Sequence, residues 1–406
     1  MEEKFVSNRV GGSSISLRIF LLYSSIVFFL LAPTSVIFGG LKACLAISAT
    51  MFFLSFVAGR GVVSKSVFFA FLLFLTAIAF SFLYNSKYLV FDDYFDFMRV
   101  VFYFLVFTAA FISANEVNLD SVSKVLLFFI LVQFVVVILQ RLGLPFGLVE
   151  AIWDIEKNWA WRSTGTFTNP NMMAISVLMS AIIYTFFTNS KFLTKALVLT
   201  LAGLVIFASG SRTALVLVFL SVFVMTLLFF NFKKILISIF LAPIFLVSLY
   251  GLVVVFGVSS FGYSLEILNV FDDFDLSSVT TFQSRISTWS DLASLVNEFS
   301  FLNYFFGLGP GKGLGLRYVD NEYLAVYLKY GFFGVYYLVL CCYLAGYVWL
   351  NRRVSKQVND ISNALLLIFF VLSVGGVTSE TFSSWQLPVL FFLLTGLGWG
   401  RIEKYK

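Results

Sequence analysis

Long apolar runs separated by short polar segments fill most of the chain. A helix needs roughly 20 apolar residues to cross about 30 Å of hydrocarbon. Such runs predict about twelve membrane-spanning helices, near 17–38, 41–59, 66–84, 97–114, 122–140, 171–189, 195–210, 213–230, 235–257, 322–350, 361–378 and 385–400. The first run is too long for the apolar part of a signal peptide, so we expect an uncleaved first helix. The pattern predicts an all-α polytopic integral membrane protein with one transmembrane domain over residues 1–406.

The composition fits a membrane-embedded chain and excludes several kinds of site. Of the 406 residues, 60% are hydrophobic and 12% are charged, whereas about a quarter of the residues in a soluble domain are charged. The three cysteines (Cys44, Cys341 and Cys342) lie in apolar runs, which argues against a disulfide framework or a zinc site. Because the sequence contains no histidine, catalysis by histidine and histidine metal ligands are excluded.

The charged residues are distributed unevenly between the two sides of the predicted bundle. With a cytoplasmic N-terminus, most of the 27 Lys and Arg residues fall in tails and short loops on one side, and most of the 21 acids fall on the other. Loops rich in Lys and Arg usually face the cytoplasm. We therefore expect an even number of spans and both termini in the cytoplasm.

Two loops on the outer side are much longer than the other connections. They cover residues 141–170 and 258–320, and loops of this size are usually functional or contain short helices. Within the larger loop, the run TTFQSRISTWSDLASLVNEF (280–299) has apolar residues at helical spacing. It predicts an amphipathic helix that lies over the outer surface.

Four arginines occupy unusual positions on this outer side: Arg162, Arg212, Arg285 and Arg317. A guanidinium group is permanently charged, and its planar set of donors suits phosphate oxygens. The alternative is that each side chain reaches lipid phosphate or pairs with a nearby acid. Arg212 has no acid near it in the sequence and is flanked by apolar spans, which makes it a functional candidate.

Carboxylates mark the start of a predicted span at Asp320, Asn321 and Glu322. Helix capping is the alternative function for this group, since Asp and Asn side chains accept hydrogen bonds from the first turn. The glycines just upstream lack the spacing of a phosphate-binding loop, and we interpret them as a flexible outer loop that lets backbone approach a bulky ligand. Glu380, between the last two predicted spans, is better suited to pairing with a cation than to acting as a base.

Four segments occur in an order that resembles a known superfamily: RSTGTFTNPNMMA (162–174), SGSRTA (209–214), QSRISTW (283–289), and FGLGPG, VDNEYL and YGFFG within 306–334. This order resembles the O-antigen polymerase and O-antigen ligase superfamily (Wzy and WaaL type) of polyprenyl-diphosphate glycosyltransferases. The resemblance covers roughly 160–335 and implies a GT-C-like architecture in a bacterial inner membrane. The ligase branch carries a histidine near this N-x-Y-L element, whereas this chain has Asp320 there, which is similar to the polymerase branch.

The resemblance implies that the chain joins oligosaccharide repeat units into O-antigen on the periplasmic face. The donor and the acceptor would both be linked to undecaprenyl diphosphate, and a co-polymerase would set the chain length. The developing charge on the diphosphate can be stabilised by guanidinium groups, so no metal or other cofactor is expected, and nucleic acid is not an expected partner. The acceptor hydroxyl needs a base or an orienting acceptor.

These requirements assign roles to the candidate residues. Asp320 or Glu322 is the expected catalytic carboxylate, and the four arginines are expected to bind diphosphate. The expected substrate-positioning residues are Asn169, Asn171, Asn321 and Tyr323. Direct displacement with one base would invert the anomeric centre.

Two other functions remain as alternatives. A ligase of the same superfamily would transfer finished glycan to a lipid acceptor. A flippase or secondary transporter would also fit twelve spans, although transporters usually show repeat symmetry, broken helices or charges near the membrane midplane. The sequence favours the enzyme because its charged groups cluster at the outer edge of the spans.

Overall fold

The computed structural model describes most of the chain, and the regular structure that it describes is helical. It covers residues 17–31, 41–58, 65–90, 93–142, 162–167, 169–229, 280–310, 319–384 and 386–406, with backbone alone for 41–45, 88, 226–229 and 280–284. The helices are α1 (Leu17–Leu31), α2 (Leu41–Val57), α3 (Lys65–Tyr84), α4 (Tyr94–Ser113), α5 (Leu119–Arg141), α6 (Pro170–Phe187), α7 (Phe192–Ala208), α8 (Arg212–Phe229), α9 (Thr280–Ser294), α10 (Phe301–Phe306), α11 (Glu322–Leu350), α12 (Lys356–Gly375) and α13 (Leu387–Lys404).

The all-helical prediction is confirmed for the described residues. Each predicted span overlaps one of these helices except 235–257, which lies outside the described part of the chain. Six of the described helices are long and apolar enough to cross a membrane, namely α3, α4, α5, α6, α11 and α12. The twelve-span topology, the kind of membrane and the cytoplasmic position of the termini therefore stay predictions.

Helices α6 and α13 form the centre of the bundle, because both are buried along almost their whole length. A helix that is apolar and buried on every side belongs to the core of a bundle. Helix α13 packs closely on α4 through two glycines. A Cβ atom at Gly396 would lie 2.4 Å from the carbonyl oxygen of Phe107, and one at Gly400 would lie 2.3 Å from that of Phe111. Small residues at such a spacing let two helix backbones approach each other.

Helix α11 is broken at Gly331, whose φ of 57° and ψ of −138° are not helical. The chain after α10 runs along this break and pairs with it. The amide of Leu308 donates to the carbonyl of Leu328 at 2.8 Å, and the amide of Gly309 donates to the carbonyl of Lys329 at 3.0 Å. Because lipid offers no hydrogen-bond donors, a break inside a membrane span has to be satisfied by the protein itself.

The glycine-rich stretch that follows α10 is therefore held by backbone hydrogen bonds over the part that the structure describes. A Cβ atom at Gly307 would lie 2.4 Å from the backbone of Lys329. Glycine is therefore required at this position because the chain passes close to α11. From the sequence we had instead expected a flexible loop that lets backbone approach a ligand. Residues 311–318 of the same loop lie outside the described residues.

The amphipathic helix predicted for 280–299 is present as α9 and one further turn, Leu295–Glu298. Its apolar residues Leu292, Leu295 and Val296 pack on a small cluster that includes Ala325 and Leu328 of α11. The end of α9 and the turn after it thus lie against the first half of α11, which brings the candidate residues of both helices to one end of the bundle.

Replacement of Gly331 by alanine tests the break in α11. This combination of φ and ψ disfavours an L-residue by about 1–3 kcal/mol, and the new Cβ atom would lie 2.5 Å from the carbonyl oxygen of Tyr304. We expect Gly331→Ala to lower the melting temperature of the purified protein clearly. The matched control is Gly346→Ala in the same helix, where a Cβ meets nothing within 4 Å and the change stabilises by up to about 1 kcal/mol. Equal melting temperatures for the two variants would contradict the broken helix.

Candidate functional site at one end of the bundle

The segment that carries Arg162 is held in place by two glutamines of α5. Gln140 Oε1 accepts hydrogen bonds from the amides of Thr164 (3.1 Å) and Gly165 (3.0 Å). Gln133 Oε1 accepts from the amide of Thr166 at 2.9 Å. The segment is not helical, so its amides need side-chain partners in the interior of the bundle. We did not expect a role for either glutamine from the sequence. The available signal was two glutamine side chains, seven residues apart, in an otherwise apolar helix.

Arg162 extends from this segment to the turn between α7 and α8. Its Nε donates to the carbonyl of Ser209 at 3.1 Å, and its terminal nitrogen donates to Asn171 Oδ1 at 2.7 Å. Asn169 caps α6 by accepting from the amide of Asn171 at 2.8 Å. Because Arg212 begins α8 three residues after Ser209, the structure brings Arg162 and Arg212 to the same turn.

A third guanidinium group reaches this turn from the end of α5. Arg141 donates to the carbonyl of Ala208, directly beside the Ser209 carbonyl that Arg162 contacts. The N-terminus of α8 adds the positive end of a helix dipole at the same place. Arg141 and Arg162 therefore both contact this turn, residues 208–212, and a third arginine, Arg212, belongs to it. Arg141 was missed because it ends an apolar run and resembled an ordinary helix-terminal cation.

Arg285 and Asp320, which were predicted to bind phosphate and to act as a base, contact each other. Arg285 Nε lies 3.4 Å from Asp320 Oδ2, and the two side chains are 26% and 57% exposed. An exposed pair of this kind contributes little stability and can be separated by a charged ligand. Arg317, which precedes Asp320 in the sequence, lies outside the described residues.

Asn321 and Tyr323 attach the beginning of α11 to the end of α12. Asn321 is the cap of α11: its side chain accepts from the amide of Leu324 at 3.0 Å and donates to the carbonyl of Val377 at 3.3 Å. The Tyr323 hydroxyl donates to the carbonyl of Ser373 at 2.7 Å. Helix capping, which the sequence offered as an alternative for this group, therefore applies to Asn321.

Glu322 differs sharply from Asp320 although only one residue separates them. Glu322 is fully buried, and its carboxylate accepts from the amide of Thr381 at 2.5 Å. Its own amide donates to the carbonyl of Gly376 at 2.7 Å. Both contacts fix the non-helical segment 376–384, which connects α12 to α13.

The 376–384 segment joins the two groups of candidate residues. The Tyr337 hydroxyl donates to its Phe382 carbonyl at 2.8 Å, and the Tyr103 hydroxyl donates to its Ser384 carbonyl. Thr378 lies next to the arginine-rich turn, with its hydroxyl 2.9 Å from that of Thr213. Since the same segment contacts Asn321 and Glu322, the turn at 208–212 and the start of α11 belong to one connected region.

Charged side chains also lie deeper in the bundle. Lys329 Nζ pairs with Glu380 Oε1 at 3.2 Å, so the prediction that Glu380 pairs with a cation is confirmed. Arg99 of α4 pairs with Asp96 and interacts electrostatically with Glu380 as well. Arg99 and Lys329 were missed, although each stands inside a predicted span. In the described residues, Asp, Glu and Cys side chains form no group of three or more that could hold a metal ion.

Substitution of Gln140 by leucine tests how the Arg162 segment is held. Loss of the side-chain acceptor leaves the amides of Thr164 and Gly165 without their partner, at a cost of about 1–3 kcal/mol each. We expect hydrogen exchange over 163–166 to become at least about tenfold faster. The matched control is Gln357→Leu at the opposite end of the bundle, where Gln357 contacts Arg401. Unchanged exchange in the Gln140 variant would show that these hydrogen bonds do not fix the segment.

Comparisons with known proteins add no family assignment. No protein-family model matches the chain, and no curated protein matches it. The functional interpretation therefore depends on the sequence motifs and on the geometry described above.

Proposed function

We propose that the chain is an O-antigen polymerase, which joins undecaprenyl-diphosphate-linked repeat units into surface polysaccharide on the periplasmic face of a bacterial inner membrane. The observation that carries the proposal is the arrangement of Arg141, Arg162 and Arg212 around one turn. Arginine matches the oxygens of a diphosphate better than lysine does, because its donors form a planar fork. The arginine-rich turn is the proposed diphosphate site, with Arg141 added to the predicted residues.

The proposed reaction is a single displacement at the anomeric carbon of the donor. The acceptor hydroxyl oxygen attacks this carbon while its proton passes to a carboxylate. The bond between the anomeric carbon and the phosphate oxygen breaks, and the diphosphate leaves with the bonding electrons. The arginines stabilise the charge that develops on the leaving group, and one displacement inverts the anomeric centre.

Asp320 is the proposed acceptor-side carboxylate, and Glu322 is proposed to position the site. Asp320 is exposed and pairs with Arg285 in the part of the chain that the structure describes, so a sugar hydroxyl can reach it. Glu322 is fully buried against the 376–384 segment. A base has to come within hydrogen-bond distance of the proton that it removes, which favours Asp320.

Transport of a lipid-linked sugar is the second candidate, favoured by the break in α11 and by the buried charge of Lys329, which pairs with the partly exposed Glu380. Broken helices and interior charges are typical of transporters. A ligase is less well supported because the sequence has no histidine. The three functions differ in what accumulates when the chain is missing.

The first experiment compares the surface polysaccharide of a deletion strain complemented with wild type, Arg212→Ala, Arg285→Ala or Asp320→Asn. Loss of one group that stabilises the transition state typically reduces turnover about 100-fold or more. We expect these variants to leave a single capped repeat unit at normal membrane abundance. Arg353→Ala, an exposed arginine between α11 and α12, is the control and should give a normal ladder. A deletion strain that lacks even the single unit would indicate export or ligation instead.

A second experiment separates the two carboxylates. Glu322→Gln keeps a carbonyl oxygen that can accept from the Thr381 amide, so we expect polymer output within about threefold of wild type. Asp320→Asn removes the proposed proton acceptor and should reduce output about 100-fold. Densitometry of the ladders, normalised to membrane abundance, measures both. The assignment is wrong if the Glu322 variant loses its ladder while the Asp320 variant keeps it.

A further inference from the structure

Lys329 and Glu380 form an ion pair between the first half of α11 and the non-helical 376–384 segment. Their side chains are 6% and 21% exposed, and the charged atoms lie 3.2 Å apart. Lys329 stands two residues before the break at Gly331, and Glu380 belongs to the 376–384 segment. The pair therefore ties the first half of α11 to the connection between α12 and α13.

The backbone of Lys329 makes a third connection. Its carbonyl oxygen accepts from the amide of Gly309 at 3.0 Å, which fixes the stretch that follows α10. One residue thus joins the chain after α10, the first half of α11 and the 376–384 segment. Lys329 can therefore influence Asp320 and the arginine-rich turn without contacting either of them directly.

The 376–384 segment transmits the position of Glu380 to the proposed site. Thr378, two residues before Glu380, has its hydroxyl 2.9 Å from that of Thr213, the neighbour of Arg212. The Val377 carbonyl accepts from Asn321, the neighbour of Asp320. A displacement of Glu380 would therefore move Thr378 and Val377, which contact the residues next to Arg212 and Asp320.

Electrostatics explains why the pair should be sensitive to single substitutions. A buried charge that loses its partner is strongly unfavourable, whereas removal of both charges is often tolerated. Arg99 also interacts with Glu380, but it already pairs with Asp96. Removal of the Lys329 charge would thus leave the partly exposed Glu380 carboxylate with a 3.4 Å hydrogen bond from the Ser383 hydroxyl and the shared charge of Arg99, and the segment would shift toward a more polar environment.

We infer that Lys329 and Glu380 are positioning residues, which set the place of the 376–384 segment against the arginine-rich turn and the start of α11. An effect of Lys329 and Glu380 on a reaction rests on the proposed polymerase function. Their effect on the structure does not, because it concerns the distance between the 376–384 segment and the arginine-rich turn.

Disulfide cross-linking measures this distance without any substrate. Thr213→Cys and Thr378→Cys are introduced into a full-length chain in which Cys44, Cys341 and Cys342 are alanine, and the rate of cross-linking in membranes is followed with an added oxidant. In this background, we expect Lys329→Met or Glu380→Gln to slow cross-linking about tenfold. The double variant should return to within about threefold of the parent, because neither charge is then left alone.

The matched control removes an exposed ion pair at the other end of the bundle. Lys124 pairs with Asp120 on the surface of α5, and Lys124→Met should leave the cross-linking rate unchanged. Parent-like rates in both single variants would overturn the inference, as would a double variant slower than either single one. If a single variant does not accumulate in membranes, the double variant is the test. A cross-linking rate near that of the parent supports the inference, and a tenfold lower rate overturns it.

The polysaccharide ladder separates this inference from the proposed function. With normal cysteines, we expect the single variants to shorten the ladder and the double variant to restore it in part. If the cross-linking results hold but the wild-type chain restores no ladder, the positioning role stands and the polymerase proposal fails. If the wild-type ladder appears but the single variants cross-link and polymerise normally, the positioning role fails alone.

Discussion

The constraint on which the structure depends is that backbone groups inside an apolar bundle must find hydrogen-bond partners within the protein. Three non-helical stretches, 162–167, 307–310 and 376–384, meet this constraint in different ways. The first uses the glutamines of α5, the second uses carbonyls released by the break in α11, and the third uses Tyr337 and Glu322. These stretches carry or support the candidate residues, so these four polar side chains of the helices help to build the site end.

Charge inside the bundle follows the same logic. The described interior holds Arg99 with Asp96 and Lys329 with Glu380, and each pair is neutral as a whole. Buried pairs seldom add stability over apolar residues, because desolvation offsets much of their attraction. The value of the Lys329–Glu380 pair lies in specificity: an ion pair between a helix and a non-helical segment is satisfied in one arrangement, whereas apolar side chains would tolerate several.

Hydropathy predicted the helices well because apolar run length is a local property of the sequence. The helical spacing of 280–299 is also local and was found, and capping at the start of α11 was considered as an alternative for Asp320, Asn321 and Glu322 without being assigned to Asn321. The break at Gly331 could not be read from YLAVYLKYGFFGVYY, since a glycine in an apolar run is compatible with a continuous helix. The different burial of Asp320 and Glu322 depends on contacts with residues 376–381, more than 50 positions away. Sequence spacing alone carries no information about such contacts.

The broken helix bears directly on the choice between transport and catalysis. Transporters use released carbonyls and half-helix ends to coordinate ions or substrate. Here the carbonyls of Leu328 and Lys329 accept from the amides of Leu308 and Gly309, and the Lys329 ammonium pairs with Glu380. The groups released by the break are thus used in holding the chain together. By contrast, Asp320 is exposed beside Arg285, which supports chemistry at the end of the bundle over passage through its middle.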